Sequence, residues 1–222
     1  LQEMYTTLTP TQNRRTQVER TQMLASTSDR PALSDLGNAK RLVNAFGHNI
    51  RYIPTWGQWL IYNGARWKVD DDGAISRLAA LAVAEIFVEA AAEEDEGTAQ
   101  RLYKHALKSE SATALRNMVN LAMSESGISI SEKRLDSNPW LMNCTNGTIN
   151  LLTGELQPHD RDDLLTKMAH LEHDKDATCP TWQKFLYRIM GGNANLVSFL
   201  QRYSGYTSTG DVSEQVLVLM HG

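Results

Sequence analysis

Two cysteines in 222 residues, Cys144 and Cys179, are too few for a disulfide framework and exclude the small stapled secreted class. A reducing cytoplasm is the expected setting. Long apolar runs are missing too: none approaches the ~20 residues of a membrane span, and no membrane partner is expected. The start, LQEMYTTLTP, has neither the charged head nor the apolar centre of a signal peptide, and it lacks an initiator Met, which fits an excised fragment. Positive charge is not in excess, because 22 Lys and Arg stand against 26 Asp and Glu, a net charge of −4. A protein that grips nucleic acid by itself is usually basic, so contact here is confined to a small patch or is not this chain's main task.

Catalytic signatures are also absent. No strand-Gly-x-Ser-x-Gly-helix elbow presents a nucleophile, and no acidic triad stands in a sheet context to hold two metals. His159, His170, His173, Cys144 and Cys179 are metal-ligating types, but His170 and His173 lie three apart in an extended segment, where they point to opposite faces. Asp70-Asp71-Asp72-Gly73 lacks the spaced oxygen ligands and distal Glu of a calcium loop and reads as a turn plus helix N-terminal charge. No catalytic residue and no metal ligand is assigned.

What is there is enough apolar residue, 41%, to bury a core. Residues 1–34 are rich in Thr, Gln, Ser and Arg and read as a linker; Arg14, Arg15 and Arg20 either touch a DNA backbone or simply solvate it. Ser34 is an N-cap candidate for a helix through Leu36, Ala39, Leu42, Val43 and Phe46, closed by Gly47. Asn63-Gly64 predicts a two-residue hairpin turn pairing Trp59–Tyr62 with Arg66–Val69. Around it, Arg51, Trp59, Arg66 and Lys68 admit two readings, a base-stacking platform for single-stranded nucleic acid or bulky rings building the core of a small hairpin.

Residues 74–126 read as helices. The first ends in a crowded acidic stretch, Glu93 to Glu96, where carboxylates oppose the helix dipole and predict fraying. Arg101, Lys104, His105, Lys108 and Arg116 form a modest basic cluster, either a nucleic-acid contact or a solvated face. After Gly127 the chain turns β-like: Asn146-Gly147 and Thr153-Gly154 flank a strand at Thr148–Leu151, with Leu156 starting its partner. Pro180 then opens an amphipathic helix with a stripe of Thr181, Trp182, Phe185, Leu186 and Ile189. Gly191-Gly192 ends it, and Leu196, Val197, Phe199, Leu200 and Tyr203 mark a second. Val216–Met220 is a continuous apolar run that predicts a strand buried on both faces of a parallel sheet. Gly222 behind it has the place of the first glycine of a phosphate loop.

The motifs together resemble a known family. FLQRYSGYTSTGDVSEQVLVLMHG is similar to the entry into the ATPase module of superfamily 3 helicases of phage, plasmid and poxvirus primase-helicases. Upstream, the Asn146-Gly147-Thr148 turn, the LLTGELQPH hairpin from Leu151 to His159, Asp163-Leu164 with Thr166-Lys167, and the Cys179-Pro180-x-Trp182 helix start resemble the domain that precedes that helicase. Asn38-Ala39, Arg41-Leu42-Val43 and Arg51-Tyr52 match its front end. The likeness runs over roughly residues 35–222 and departs mainly around Glu85–Glu96.

The resemblance implies an organisation: a linker from an upstream primase domain at 1–34, a pre-helicase α+β domain at 35–175, and a truncated start of the ATPase module at 176–222. The expected fold class is α+β, a helical bundle with small antiparallel β-hairpins followed by the first helices and strand of an α/β module. The parent protein is implied to assemble into a ring, a hexamer, and to unwind DNA with ATP and Mg. The stretch itself carries no cofactor and no catalysis, with Gly222 at the edge of the nucleotide site and Arg51, Trp59, Arg66, Lys68, Arg101, Lys104 and Lys108 as candidate DNA contacts. The alternative is a stand-alone, non-catalytic single-stranded DNA-binding or replication-regulating module.

Overall fold

The computed structural model describes residues 30–219, which form six helices and two three-stranded antiparallel sheets. The order is α1 (Asp35–Phe46), β1 (Ile50–Ile53), β2 (Gln58–Tyr62), β3 (Trp67–Val69), α2 (Ala74–Ala92), α3 (Glu96–Ser109), α4 (Ala112–Ala122), β4 (Leu141–Cys144), β5 (Gly147–Asn150), β6 (Glu155–Gln157), α5 (Pro180–Ile189) and α6 (Ala194–Thr207). Short 3-10 turns occupy Glu132–Arg134 and Arg161–Asp163. The α+β expectation holds for the helices and hairpins.

The chain divides into two compact units. The first takes the described residues through Gly64 together with Lys68–Glu132; the second takes Ala65–Trp67 and Lys133 onward. In the first unit α1 packs on α4, and α2 packs on α1, α3 and α4. α1, α2, α4 and the β1–β2 pair share a core that gathers Leu42, Ile50, Trp59, Leu78, Val83, Met118 and Ile128. Alanines 79, 82 and 90 of α2 are buried and let neighbouring helices approach closely, while Ile86, Leu102 and Ala106 form a second cluster along α2 and α3. Sheet order is β1-β2-β3, with Ile50 opposite Ile61 and Tyr52 opposite Trp59. The other edge of β1 is covered by Ile128–Ile130: Tyr52 donates its N–H to the Ile128 carbonyl, and Ile130 donates back to Tyr52. β2 and β3 are joined by four residues, Asn63–Arg66, rather than by the expected two-residue turn. Gly64 supplies the positive φ of +98°.

Caps set the helix boundaries. Ser34 Oγ accepts from the Gly37 N–H at 3.1 Å, so α1 begins where its N-cap was expected, and Gly47 closes it in a right-handed conformation. Asp70 takes the orphan donors of α2, accepting from Ala74 N–H at 2.7 Å and Ile75 N–H at 3.0 Å on its two oxygens. The acidic stretch lies beyond α2, which ends at Ala92. Glu93 Oε2 lies 2.7 Å from Arg30 Nη1, and Asp95 becomes the N-cap of α3 by accepting from Thr98 N–H at 2.6 Å. Its charge therefore sits at a helix start, where the dipole favours it. The hydrogen bond from Arg30 to Glu93 and the bond from Thr98 to Asp95 hold both carboxyls below their ordinary range.

In the second unit β4, β5 and β6 form a meander in register Asn143 to Thr148 and Ile149 to Leu156. The two turns expected from the sequence are both present. Gly147 has φ +151°, and a Cβ there would stand 2.5 Å from the Gln157 carbonyl oxygen on β6. Gly154, with φ +74°, faces open space. The Gly191-Gly192 turn between α5 and α6 has φ of +58° and +78°, and Asn193 caps α6 by accepting from the Asn195 and Leu196 N–H groups.

The helix expected after Pro180 is present as α5, and one expectation for this end of the chain, the buried strand, is corrected. Of the stripe on α5 only Leu186 is buried, while Trp182, Phe185 and Ile189 remain exposed, with Trp182 and Phe185 stacked on each other at 5.5 Å. The run predicted as a buried strand, Val216–Met220, is not a strand over its described part. Val216 is 61% and Leu217 84% exposed, and the described residues offer it no neighbouring strand. A parallel strand needs a neighbouring strand for its hydrogen bonds and cover on both faces.

Two substitutions follow from this geometry. Asp70→Ala removes its two bonds to the start of α2, leaving Ala74 N–H only the Asp72 carboxylate at 3.2 Å, and lowers stability by about 1 kcal/mol, whereas exposed Asp71→Ala leaves stability in urea within ~0.5 kcal/mol of wild type. Gly147→Ala costs about 2 kcal/mol or more, from strain and the clash with β6. Gly154→Ala costs about 1 kcal/mol, from its φ alone. Urea unfolding of the four variants checks the order.

Candidate nucleic-acid interface

The basic stripe on α3 is built by what the opposite side of that helix must do. Leu102, Ala106 and Ser109 are buried, which fixes the helix rotation. Asn38 on α1, fully buried, donates from Nδ2 to Ser109 Oγ at 2.9 Å, and its Oδ1 accepts from His105 Nε2, also at 2.9 Å. With the inward side spoken for, Arg101, Lys104 and Lys108 share an exposed stripe at i, i+3 and i+7. Arg101 also donates to Thr98 Oγ1 at 2.9 Å. His105, read from sequence as part of this cluster, is turned partly inward into the amide network, and burial, followed by the charge of Arg41, holds its pKa below the ordinary 6.5.

The aromatic hairpin has a different fate. Trp59 is 7% exposed in the first unit's core, its ring 5.4 Å from that of Tyr52, and no face is open for a base. Trp67 is buried within the second unit, where its Nε1 donates to the Arg161 carbonyl at 2.8 Å. Three short strands have little else with which to fill an interior, so the indoles are spent on the core. Arg51 is half-buried and donates to the Gly47 and Ile50 carbonyls. Arg66 belongs to the second unit and donates to the Thr166 carbonyl at 3.1 Å. Lys68 is exposed. Of the seven residues expected to contact DNA, the structure brings together Arg101, Lys104 and Lys108 on one helix face, and the stacking platform around Trp59 is not assembled.

Other polar side chains have structural roles. Arg41 pairs with Glu89 at 3.2 Å and donates to the Ala32 carbonyl. In the second unit Asn143 donates to the Ala65 and Lys167 carbonyls and accepts from Thr148 Oγ1. Asp136 accepts from both the N–H and the hydroxyl of Thr166. Asn146 exchanges two bonds with the backbone of His173. Cys144 is buried, which pushes its thiol pKa up, and Cys179 is exposed. Among the described residues no three His, Cys, Asp or Glu side chains converge to hold a metal, and no helix is long and apolar enough to cross a membrane. Gly222, Arg14, Arg15 and Arg20 lie outside the described residues.

Sequence reasoning passed over Lys184 and Arg188 on α5. The signal that marks them is the absence of any Asp or Glu between Ala177 and Gly210 in an otherwise acidic chain.

The His105 network makes stability pH-dependent with a definite sign. A histidine whose folded pKa is depressed leaves the unfolded chain binding more protons, so its contribution is complete above 6.5 and is lost as pH falls below that value. His105→Gln keeps an N–H for Asn38 and flattens the stability profile from about pH 7 to about pH 5, which urea titrations at stepped pH read directly.

No curated protein matches the chain. A family model described as D5 N terminal like matches residues 39–191, from inside α1 through α5 to the Gly191 turn. That span includes Arg41, Asn143, the Gly147 and Gly154 turns and Thr166, whose positions in the two units have just been described. The chain belongs to the D5 N terminal like family, the primase-helicase N-terminal-like domain that its motifs resemble.

Proposed function

We propose that this chain is the accessory and oligomerisation domain of a phage or plasmid type DNA primase-helicase, joined to an upstream primase domain and leading into a superfamily 3 ATPase module. The family match over residues 39–191 carries this reading. What supports it is the character of these residues: Asn38, Arg41, Asn143, Thr148 and Thr166 make hydrogen bonds within the fold, to backbone carbonyls or to neighbouring side chains, as in a scaffold. In this reading the parent forms a hexameric ring in the cytoplasm of a bacterial host or infected cell and unwinds DNA with ATP and Mg. Nucleotide chemistry belongs to the parent's ATPase module, and no step is assigned to residues 30–219.

A second reading, a stand-alone module that binds single-stranded DNA, draws on the exposed Arg101, Lys104 and Lys108 stripe of α3.

The test compares the 222-residue chain with one extended by about 250 residues. DNA-stimulated ATP hydrolysis and a ring-sized mass in light scattering are expected of the longer protein alone. ATP hydrolysis by the shorter one, or a longer one that is monomeric and inert, overturns the proposal.

A further inference from the structure

The helical hairpin of α5 and α6 differs in charge from the rest of the chain. From Ala177 to Gly210 it carries Lys184, Arg188 and Arg202 and not one carboxylate, within a protein of net charge −4. The stripe on α3, by contrast, is bracketed by Glu94, Asp95, Glu96 and Glu110. None of the ion pairs among the described residues uses Lys184 or Arg188. The two stand four apart on one helix, where like charges repel and weaken the helix unless an anion lies between them.

These cations line a groove of about 510 Å³ between the two helices, together with Gln183, Tyr187, Val197 and Gln201. Its side chains supply two cations, two amides able to donate hydrogen bonds, and one phenol ring, with no acid to repel a phosphate. Tyr187 is 58% exposed. Gly192 permits its placement, because a Cβ there would stand 3.3 Å from the Tyr187 hydroxyl. Cations beside an accessible ring are the chemistry of single-strand binding, in which phosphates follow the positive charge and a base stacks on the aromatic face.

We propose that the α5–α6 groove binds single-stranded nucleic acid, with Lys184 and Arg188 on successive backbone phosphates and Tyr187 stacking on a base. This rests on the reading of the chain as part of a DNA-handling protein, but it places the contact on the second unit rather than on α3 or the aromatic hairpin. A free nucleotide shares the phosphate chemistry and satisfies only part of the groove.

Fluorescence anisotropy of a labelled oligothymidine of about 20 nucleotides, titrated with the full chain at about 50 and about 200 mM salt, tests it. Lys184→Glu with Arg188→Glu is expected to weaken binding at least tenfold and to reduce the salt slope by roughly 1.4, the loss of two single-strand phosphate contacts. Tyr187→Ala weakens it about tenfold with the salt slope unchanged, and Lys184→Arg with Arg188→Lys retains it. Thymidine monophosphate at equal phosphate concentration leaves the complex intact. In the wild-type chain, bound oligonucleotide protects Lys184 from acetylation, a readout independent of any variant's folding.

Unchanged affinity in the charge reversal, or no protection of Lys184, overturns the proposal. Loss of binding only on Arg101→Glu with Lys104→Glu and Lys108→Glu moves the site to α3 and leaves the proposed function standing. Displacement by the monophosphate reassigns the groove to free nucleotides. An absence of binding, with a mass in solution that falls on Tyr187→Ala, reassigns it to contact between copies of this chain. Failure of the ATPase comparison with binding intact rejects the helicase reading and keeps the groove.

Discussion

Each unit is organised around one buried asparagine whose amide must be satisfied. Asn38 in the first unit reaches Ser109 and His105 on α3, and Asn143 in the second ties β4 to the backbone at Ala65 and Lys167 and to the Thr148 hydroxyl. An amide buried without partners costs roughly 1–3 kcal/mol, so each asparagine penalises any packing that shifts its neighbours by a turn or a register. Apolar contacts alone are permissive, since α1, α3 and α4 present enough leucine and alanine to slide past one another. The amides select one arrangement and thereby decide which face of α3 is left to carry charge.

Charge follows the same economy of place. The carboxylates are distributed to helix starts and to arginine partners: Asp70 and Asp95 as caps, Glu89 with Arg41, Glu93 with Arg30. Positive charge also clusters, on the outer stripe of α3 and on the α5–α6 hairpin. A mildly acidic chain can thus carry local positive surface, because short-range potential depends on what lies within a Debye length of about 10 Å rather than on net charge.

Both units leave large apolar side chains in the open. Trp182, Phe185 and Leu217 are exposed in the second unit, and Trp56, Val88 and Leu107 in the first, while Trp59 is hidden in a core shared by α1, α2, α4 and the sheet. In the proposed setting, a scaffold leading into an ATPase ring, such surface is what a neighbouring module or subunit covers.

Much was legible in the sequence, because it depends on nearest neighbours. Ser34 as a cap, Asn146-Gly147 and Thr153-Gly154 as turns, Pro180 and the Gly191-Gly192 pair as helix limits are local choices of φ, ψ and hydrogen bond. The α+β class and the family follow from their order along the chain. Only the tertiary structure decided burial. Trp59 admitted a stacking surface beside the favoured core reading, and His105 read as one more basic residue, because a side chain's environment is made by segments tens of residues away. The apolar run at Val216 shows the converse: its composition specifies a strand, yet a strand exists only where another chain segment accepts its hydrogen bonds.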